Sequence, residues 1–177
     1  RDLRYGENPH QQAALYAGDP AWGFGSAQVV QGKGLSFTNL LDLDAAARLA
    51  LEFSEPAAVV IKHTNPCGLA CHGDQVEAYK RAYGGDTVSA FGGIVAVNRP
   101  VTLAMAESMT EVFTEVVVAA AYEPDALAKL RQKQNLRILE APAPSWPALE
   151  VRSIDGGLLV QTTDVLALDP SGGLDRT

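Results

Sequence analysis

Lys62 and His63 stand side by side directly after Ala57-Ala58-Val59-Val60-Ile61, a short and continuously apolar run. A neutral imidazole can take a proton from a reacting amine, and an ammonium beside it can stabilise an oxyanion or protonate a leaving group. A neighbouring cation also favours the neutral imidazole that a base requires. Side chains alternate along a strand, so the two reach one pocket only if the chain bends there, and Asn65-Pro66 supplies a turn signal. Open α/β sheets collect ligand-binding groups at the carboxyl ends of strands, which is where this pair falls. The same residues also fit a lysine snorkelling at a strand end beside a hydrogen-bonded histidine. The segment alone leaves both readings open.

Two further stretches carry polar groups of a chemical kind. Arg4-Tyr5-Gly6-Glu7-Asn8-Pro9-His10-Gln11 gathers a cation, a phenol, an imidazole and two amides around Gly and Pro. Arg4 offers forked donors suited to a phosphate, although an ordinary polar surface loop has the same composition. Asp86-Thr87-Val88-Ser89-Ala90-Phe91-Gly92-Gly93 enters another apolar run through two glycines. Backbone there can approach a ligand closely, or simply turn tightly into a strand.

A metal site is the competing reading, because His63, Cys67, Cys71 and His72 lie within ten residues and zinc accepts both ligand types. Zinc deaminases pair H-x-E with P-C-x-x-C, the Glu shuttling protons. Here Pro66-Cys67-Gly68-Leu69-Ala70-Cys71 has one residue too many, and Thr64-Asn65 follows His63 with no Glu. No zinc or other metal is expected, and both cysteines read as partly buried thiols. Nor does a G-x-x-x-x-G-K-[ST] motif point to an ATPase.

The elements that must position these groups alternate between strand-length apolar runs and segments of helical period, an α/β layered pattern. A helix is predicted from about Asn39 to Phe53, capped by Asn39, with Asp42 and Asp44 in its first turn and Leu40, Leu43, Ala47 and Leu51 as its apolar stripe. Strands are predicted at 57–61, 93–97, 115–118 and 136–139. Helices are predicted at 74–83, stopped by Gly84-Gly85, from Thr102 through Val112, and at 124–134. The proline-rich segment 141–147 reads as a connector. Residues 150–163 are β-rich around Gly156-Gly157, and 164–177 read as a tail or the start of a connection onward.

The 177 residues are 47 % hydrophobic and 20 % charged, a globular composition. With 14 basic and 21 acidic residues the net charge is −7, which argues against a nucleic-acid-binding face. No apolar run approaches the ~18–20 residues that span a bilayer, and no secretory signal is visible, so no membrane partner is expected. With only two cysteines, a reducing cytoplasm is the expected location. The chain begins without Met, which reads as trimming or as a cut from something longer.

Four blocks then occur in order: 4–11, Lys33-Gly34-Leu35-Ser36-Phe37-Thr38-Asn39-Leu40-Leu41-Asp42, Lys62-His63-Thr64-Asn65-Pro66-Cys67-Gly68, and Ser89-Ala90-Phe91-Gly92-Gly93. Together they closely resemble the transformylase region of the bifunctional phosphoribosylaminoimidazolecarboxamide (AICAR) formyltransferase / IMP cyclohydrolase family. Residues 133–137 and 155–161 are similar to that family too. The resemblance implies a three-layer α/β/α subdomain of cytidine-deaminase-like fold without zinc, spanning 1–163. It implies formyl transfer from 10-formyltetrahydrofolate, as co-substrate, to the 5-amino group of AICAR, by a homodimer with sites at its interface. By motif, Lys62 and His63 match the catalytic pair, and Arg4, Tyr5, Gly92 and Glu115 match nucleotide-contacting positions. Asn65, Ser89 and Phe91 are expected as further contacts.

The family's cyclohydrolase domain and second transformylase subdomain have no counterpart in these residues. The chain alone is therefore expected to be inactive. Two alternatives stand beside this reading: a nucleotide-binding module without chemistry, and a zinc nucleobase deaminase.

Overall fold

The computed structural model describes residues 1–18, 23–142 and 149–164. The elements run β1 (Gln28–Gln31), α1 (Phe37–Leu51), β2 (Ala57–Lys62), β3 (Asn65–Cys71), α2 (Gln75–Gly84), α3 (Thr87–Ala90) and β4 (Ile94–Val97). They continue as α4 (Leu103–Met109), β5 (Val116–Ala119), α5 (Pro124–Leu130), β6 (Arg137–Glu140), β7 (Leu149–Ile154) and β8 (Gly157–Thr162). Two compact units result, 1–144 and 145–177.

In the first unit, six strands form a mixed sheet in the order β1-β6-β5-β4-β2-β3. β4, β5 and β6 are parallel, joined through α4 and α5 as crossovers, while every other pairing is antiparallel. β2, β4 and β5 are apolar on both faces and need cover on both sides. Val60, Val95, Val117 and Ile138 pack under α2, α4 and α5. Val59, Ile61, Ile94, Ala96, Val116, Val118 and Leu139 pack under α1. The alternation is the period-2 pattern of strands, and the outcome is the expected α/β class in three layers.

Several expected boundaries move, each for a local reason. α1 starts at Phe37, because the Ser36 hydroxyl accepts the Asn39 N–H while the Asn39 side chain accepts the Ser36 N–H. Asn39 is thus the far half of a capping box rather than the cap. Asp42 accordingly falls beyond the first turn, and it is buried. α2 starts at Gln75 with Asp74 as its cap, Gly84 lies inside it, and Gly85 keeps a right-handed φ of −61°. α4 opens after Thr102 and ends before Val112, and α5 ends at Leu130.

β1 and β3, the two edge strands, were not anticipated. β3 starts at Asn65-Pro66, where the sequence signals a turn. Pro66 lacks an N–H and is tolerated because only one side of an edge strand is paired. Gly68 on β3 passes so close to α2 that an added Cβ would lie 1.9 Å from the Ala82 carbonyl oxygen.

The second unit contains the antiparallel β7–β8 hairpin. It turns through Asp155-Gly156, with Gly156 at a φ of +74°. Most of the expected connector (143–147) and of the tail (165–177) lies outside the described residues.

Candidate active site

β2 runs antiparallel to β4, so its carboxyl end meets the amino ends of β4 and β5. A cleft of about 490 Å³ opens there. Lys62, His63 and Thr64 form one wall; Ser36, Thr38, Asn39, Leu41 and Asp42 come from the start of α1. Tyr5 and Glu7 come from the N-terminal loop, and Gly92, Ile94 and Glu115 from the strand entries. Relative to the parallel strands the cleft is at the amino end, the reverse of the usual rule, because the strand carrying Lys62 is the reversed one.

The bend that the Lys-His pair needed is present, two residues earlier than the Asn65-Pro66 signal suggested. β2 and β3 pair through Lys62 and Asn65, leaving His63 and Thr64 as a two-residue turn. Both have positive φ, +54° and +59°, the type I′ geometry that suits the twist of a hairpin. Non-glycine residues in that region cost roughly 1–2 kcal/mol each. The His63 carbonyl accepts from the Thr64 hydroxyl at 2.7 Å and the Asn65 amide at 2.8 Å. Lys62 Nζ donates to the Phe91 carbonyl at 3.0 Å, which ties β2 to the glycine-containing entry of β4.

The N-terminal loop folds on itself through Gly6 N–H to the Gln11 carbonyl and Asn8 N–H to the Gln11 side chain, at 2.9 and 2.7 Å. It docks on the α1 entry through Arg4 N–H to Leu35 O and Phe37 N–H to Tyr5 O. Those two bonds bring Tyr5 and Glu7 to the cleft. The Arg4 guanidinium sits 5.3 Å from the centre of the Tyr5 ring. Gly92 has a φ of +72° and gives its N–H to the Phe113 carbonyl. The rings of Phe91 and Phe113 lie 5.3 Å apart.

Of the nine residues singled out by sequence, Lys62, His63, Tyr5, Gly92 and Glu115 share the cleft lining, while Arg4, Asn65, Ser89 and Phe91 do not. Ser89 instead gives its N–H to Asp86. Ser89's hydroxyl and N–H, with the Val88 N–H, hold the Asp86 carboxyl below its ordinary range. Sequence reading missed the cleft roles of Asn39 and Asp42. The signal was available: buried Asn39, Asp42, Ala46 and Ala50 follow helical spacing, and a carboxylate inside an apolar stripe needs a partner.

The cleft can therefore present an imidazole, an ammonium, a carboxylate and a phenol to one small polar ligand. Burial, then Asp86, pushes the Cys67 thiol up, which disfavours thiolate chemistry. Among the described residues no group of three or more His, Cys, Asp or Glu is arranged to hold a metal ion. No helix among them is long and apolar enough to cross a membrane.

The sequence profile of the AICARFT/IMPCHase bienzyme family matches residues 1–173. A bifunctional purine biosynthesis protein PurH from Cutibacterium acnes is 48 % identical over 167 residues, covering 94 % of this chain and 32 % of the relative. A protein of the same name from a Cyanothece species is 51 % identical over 173 residues, 96 % of this chain and 34 % of the relative. Another, from Corynebacterium glutamicum, is 48 % identical over 167 residues, 94 % and 32 %. The chain spans about a third of the length of these relatives. On matches that cover nearly all of its residues, the chain belongs to the AICARFT/IMPCHase bienzyme family.

Proposed function

We propose that the chain is the first transformylase subdomain of a purine biosynthesis enzyme, and that its cleft receives AICAR for formyl transfer from 10-formyltetrahydrofolate. The observation that carries this reading is that Tyr5, Lys62, His63, Gly92 and Glu115, drawn from separate stretches of sequence, line one cleft. The relatives' printed name supports the purine role.

The AICAR amine is conjugated with its ring and carboxamide and is a weak nucleophile. In this reading, His63 accepts the amine proton as the new C–N bond forms to the formyl carbon. Lys62 stabilises the oxyanion of the tetrahedral intermediate, or protonates the departing folate nitrogen as the old C–N bond breaks. Tyr5, Gly92 and Glu115 hold the nucleotide, and Arg4, stacked on Tyr5, reaches its phosphate. Asn65, Ser89 and Phe91 act from outside the lining as supports. In this reading the fold is the cytidine-deaminase-like type without zinc, and Lys62 and His63 supply the chemistry.

The relatives are about three times longer than this chain. The reading assigns the folate site, the dimer partner and ring closure to residues beyond it. Formyl transfer by the chain alone is expected to be negligible.

Isothermal titration of the folded chain with AICAR tests the reading, alongside Lys62→Ala/His63→Ala. Saturable binding that the double substitution weakens supports a nucleotide site on this subdomain. No heat at millimolar AICAR would remove the site from this subdomain acting alone.

A further inference from the structure

The β2–β3 turn is made from residues ill suited to its shape. A type I′ turn is normally filled by Asn-Gly or Gly-Gly, because both central residues need positive φ. Here the second is Thr64 at +59°, and a β-branched residue is a genuine outlier in that region. Strain of this kind persists only where the surroundings hold it.

Asp42 supplies that hold. It lies on α1, is only 6 % exposed, and stands 21 and 22 residues away in sequence from the two groups it meets. Thr64 N–H donates to its Oδ1 at 2.6 Å, and His63 N–H donates to its Oδ2 at 3.3 Å. Both oxygens of one buried carboxylate thus meet successive N–H groups of the strained turn. Bonds of this charged type are about twice as strong as neutral ones. The turn they fix is the one that carries His63 into the cleft.

We propose that Asp42 is a positioning residue: its carboxylate holds the His63–Thr64 turn in the I′ form and thereby aims the imidazole at the reacting amine. The proposal rests on the reading of His63 as the base. Without the carboxylate, the turn relaxes toward negative φ, where types I and II splay the flanking strands, and the imidazole swings away. A glycine at position 64 would adopt the required φ unaided. The dependence on Asp42 is therefore specific to the residue that fills the turn.

Two measurements on separate material test this. In ¹H–¹⁵N spectra of the chain, the Thr64 amide proton is expected far downfield. In Asp42→Ala it should move upfield and exchange with solvent ~10–100-fold faster, the loss expected for one charge-assisted bond. In the complete polypeptide containing these residues, Asp42→Ala should lower kcat for formyl transfer by ~10–100-fold with KM for AICAR little changed. Asp42→Ala/Thr64→Gly should recover most of that loss. Asp42→Asn keeps one carbonyl acceptor and the side-chain shape, and carries the same comparison if the alanine variant does not fold.

A Thr64 amide that does not respond to Asp42 would overturn the proposal, and so would a double variant no faster than Asp42→Ala. If His63→Ala leaves turnover intact while the amide responds as described, it is the reading of His63 as base that fails. The hold of Asp42 on the turn then stands as a structural feature alone.

Discussion

Glu115 and Arg137 are joined across the entries of β5 and β6, Arg137 Nη1 donating to Glu115 Oε1 at 3.0 Å. The same oxygen accepts from the Asn39 side chain at 3.1 Å, so one carboxylate ties the sheet to the start of α1 at the floor of the cleft. The Arg137 side chain is 9 % exposed and that of Glu115 36 %.

Removing the arginine should therefore cost more than loss of a surface pair, which is worth up to ~1 kcal/mol. It should cost less than breaking a fully buried one, at ~3–5 kcal/mol. Arg137→Met is expected to destabilise the chain by about 1–3 kcal/mol in urea unfolding. A loss below about 0.5 kcal/mol would mean that solvent, not Arg137, satisfies Glu115.

Gly68 has no room for a side chain, since its Cβ would fall 1.9 Å from a carbonyl of α2 rather than from a movable side-chain tip. Gly68→Ala must push α2 off β3, and overpacking of this kind costs ~1–3 kcal/mol. Thermal unfolding should show the drop. An unchanged midpoint would mean that the two elements part without cost.

How legible the fold was depended on where its information sits. β2 and β4 were readable because burial on both faces makes them continuously apolar, and Thr102 marks the start of α4 as its cap. The edge strands were not. β1 offers only Val29 and Val30 between two glutamines, and β3 carries Asn, Pro and Gly in its first four residues. The type and spacing of Lys62 and His63 marked the site, but the turn that unites them lies at His63-Thr64, where a local reading puts no positive φ. A helix start at Asn39, as the sequence suggests, makes Asp42 a dipole-complementing acid. With α1 starting at Phe37, Asp42 is an inward-facing group with a tertiary partner.

A buried phenol, Tyr79, and a partly buried one, Tyr122, set an alkaline limit on stability. Burial pushes Tyr79 up to about 12. Burial likewise pushes Tyr122 up, and its hydroxyl donates to the Leu139 carbonyl at 2.8 Å, with the Val117 carbonyl at 3.2 Å as the alternative acceptor. The fold favours the protonated phenols, so their contribution is whole below the ordinary value of 10 and is lost as pH rises from there, through about 12 for Tyr79 and further for Tyr122. Stability measured by urea unfolding should fall across that window. Tyr122→Phe should cost ~1–2 kcal/mol at neutral pH through the lost bond and unsatisfied carbonyl, and should flatten the alkaline decline. A decline of unchanged steepness in that variant would place the alkaline sensitivity elsewhere.

The proposed chemistry makes unequal demands on Lys62 and His63, and kinetics in the complete polypeptide should separate them. A general base contributes ~10²–10⁴ in turnover, so His63→Ala should lower kcat by that factor. An oxyanion-stabilising group contributes ~10²–10³, the range expected for Lys62→Ala. Lys62 also fastens β2 to the Phe91 carbonyl, so its removal should disturb the cleft's glycine wall and raise KM for AICAR as well. Among the described residues none is hydrogen-bonded to the His63 ring, and its loss should leave KM nearly unchanged. Lys62→Arg keeps the charge and a donor; it should restore KM more fully than kcat, because a planar fork cannot reproduce a point charge at the reacting carbon. A fall in kcat below about fivefold for His63→Ala would take the base role away from the turn altogether, and would direct the search for a proton acceptor to Glu115 across the cleft.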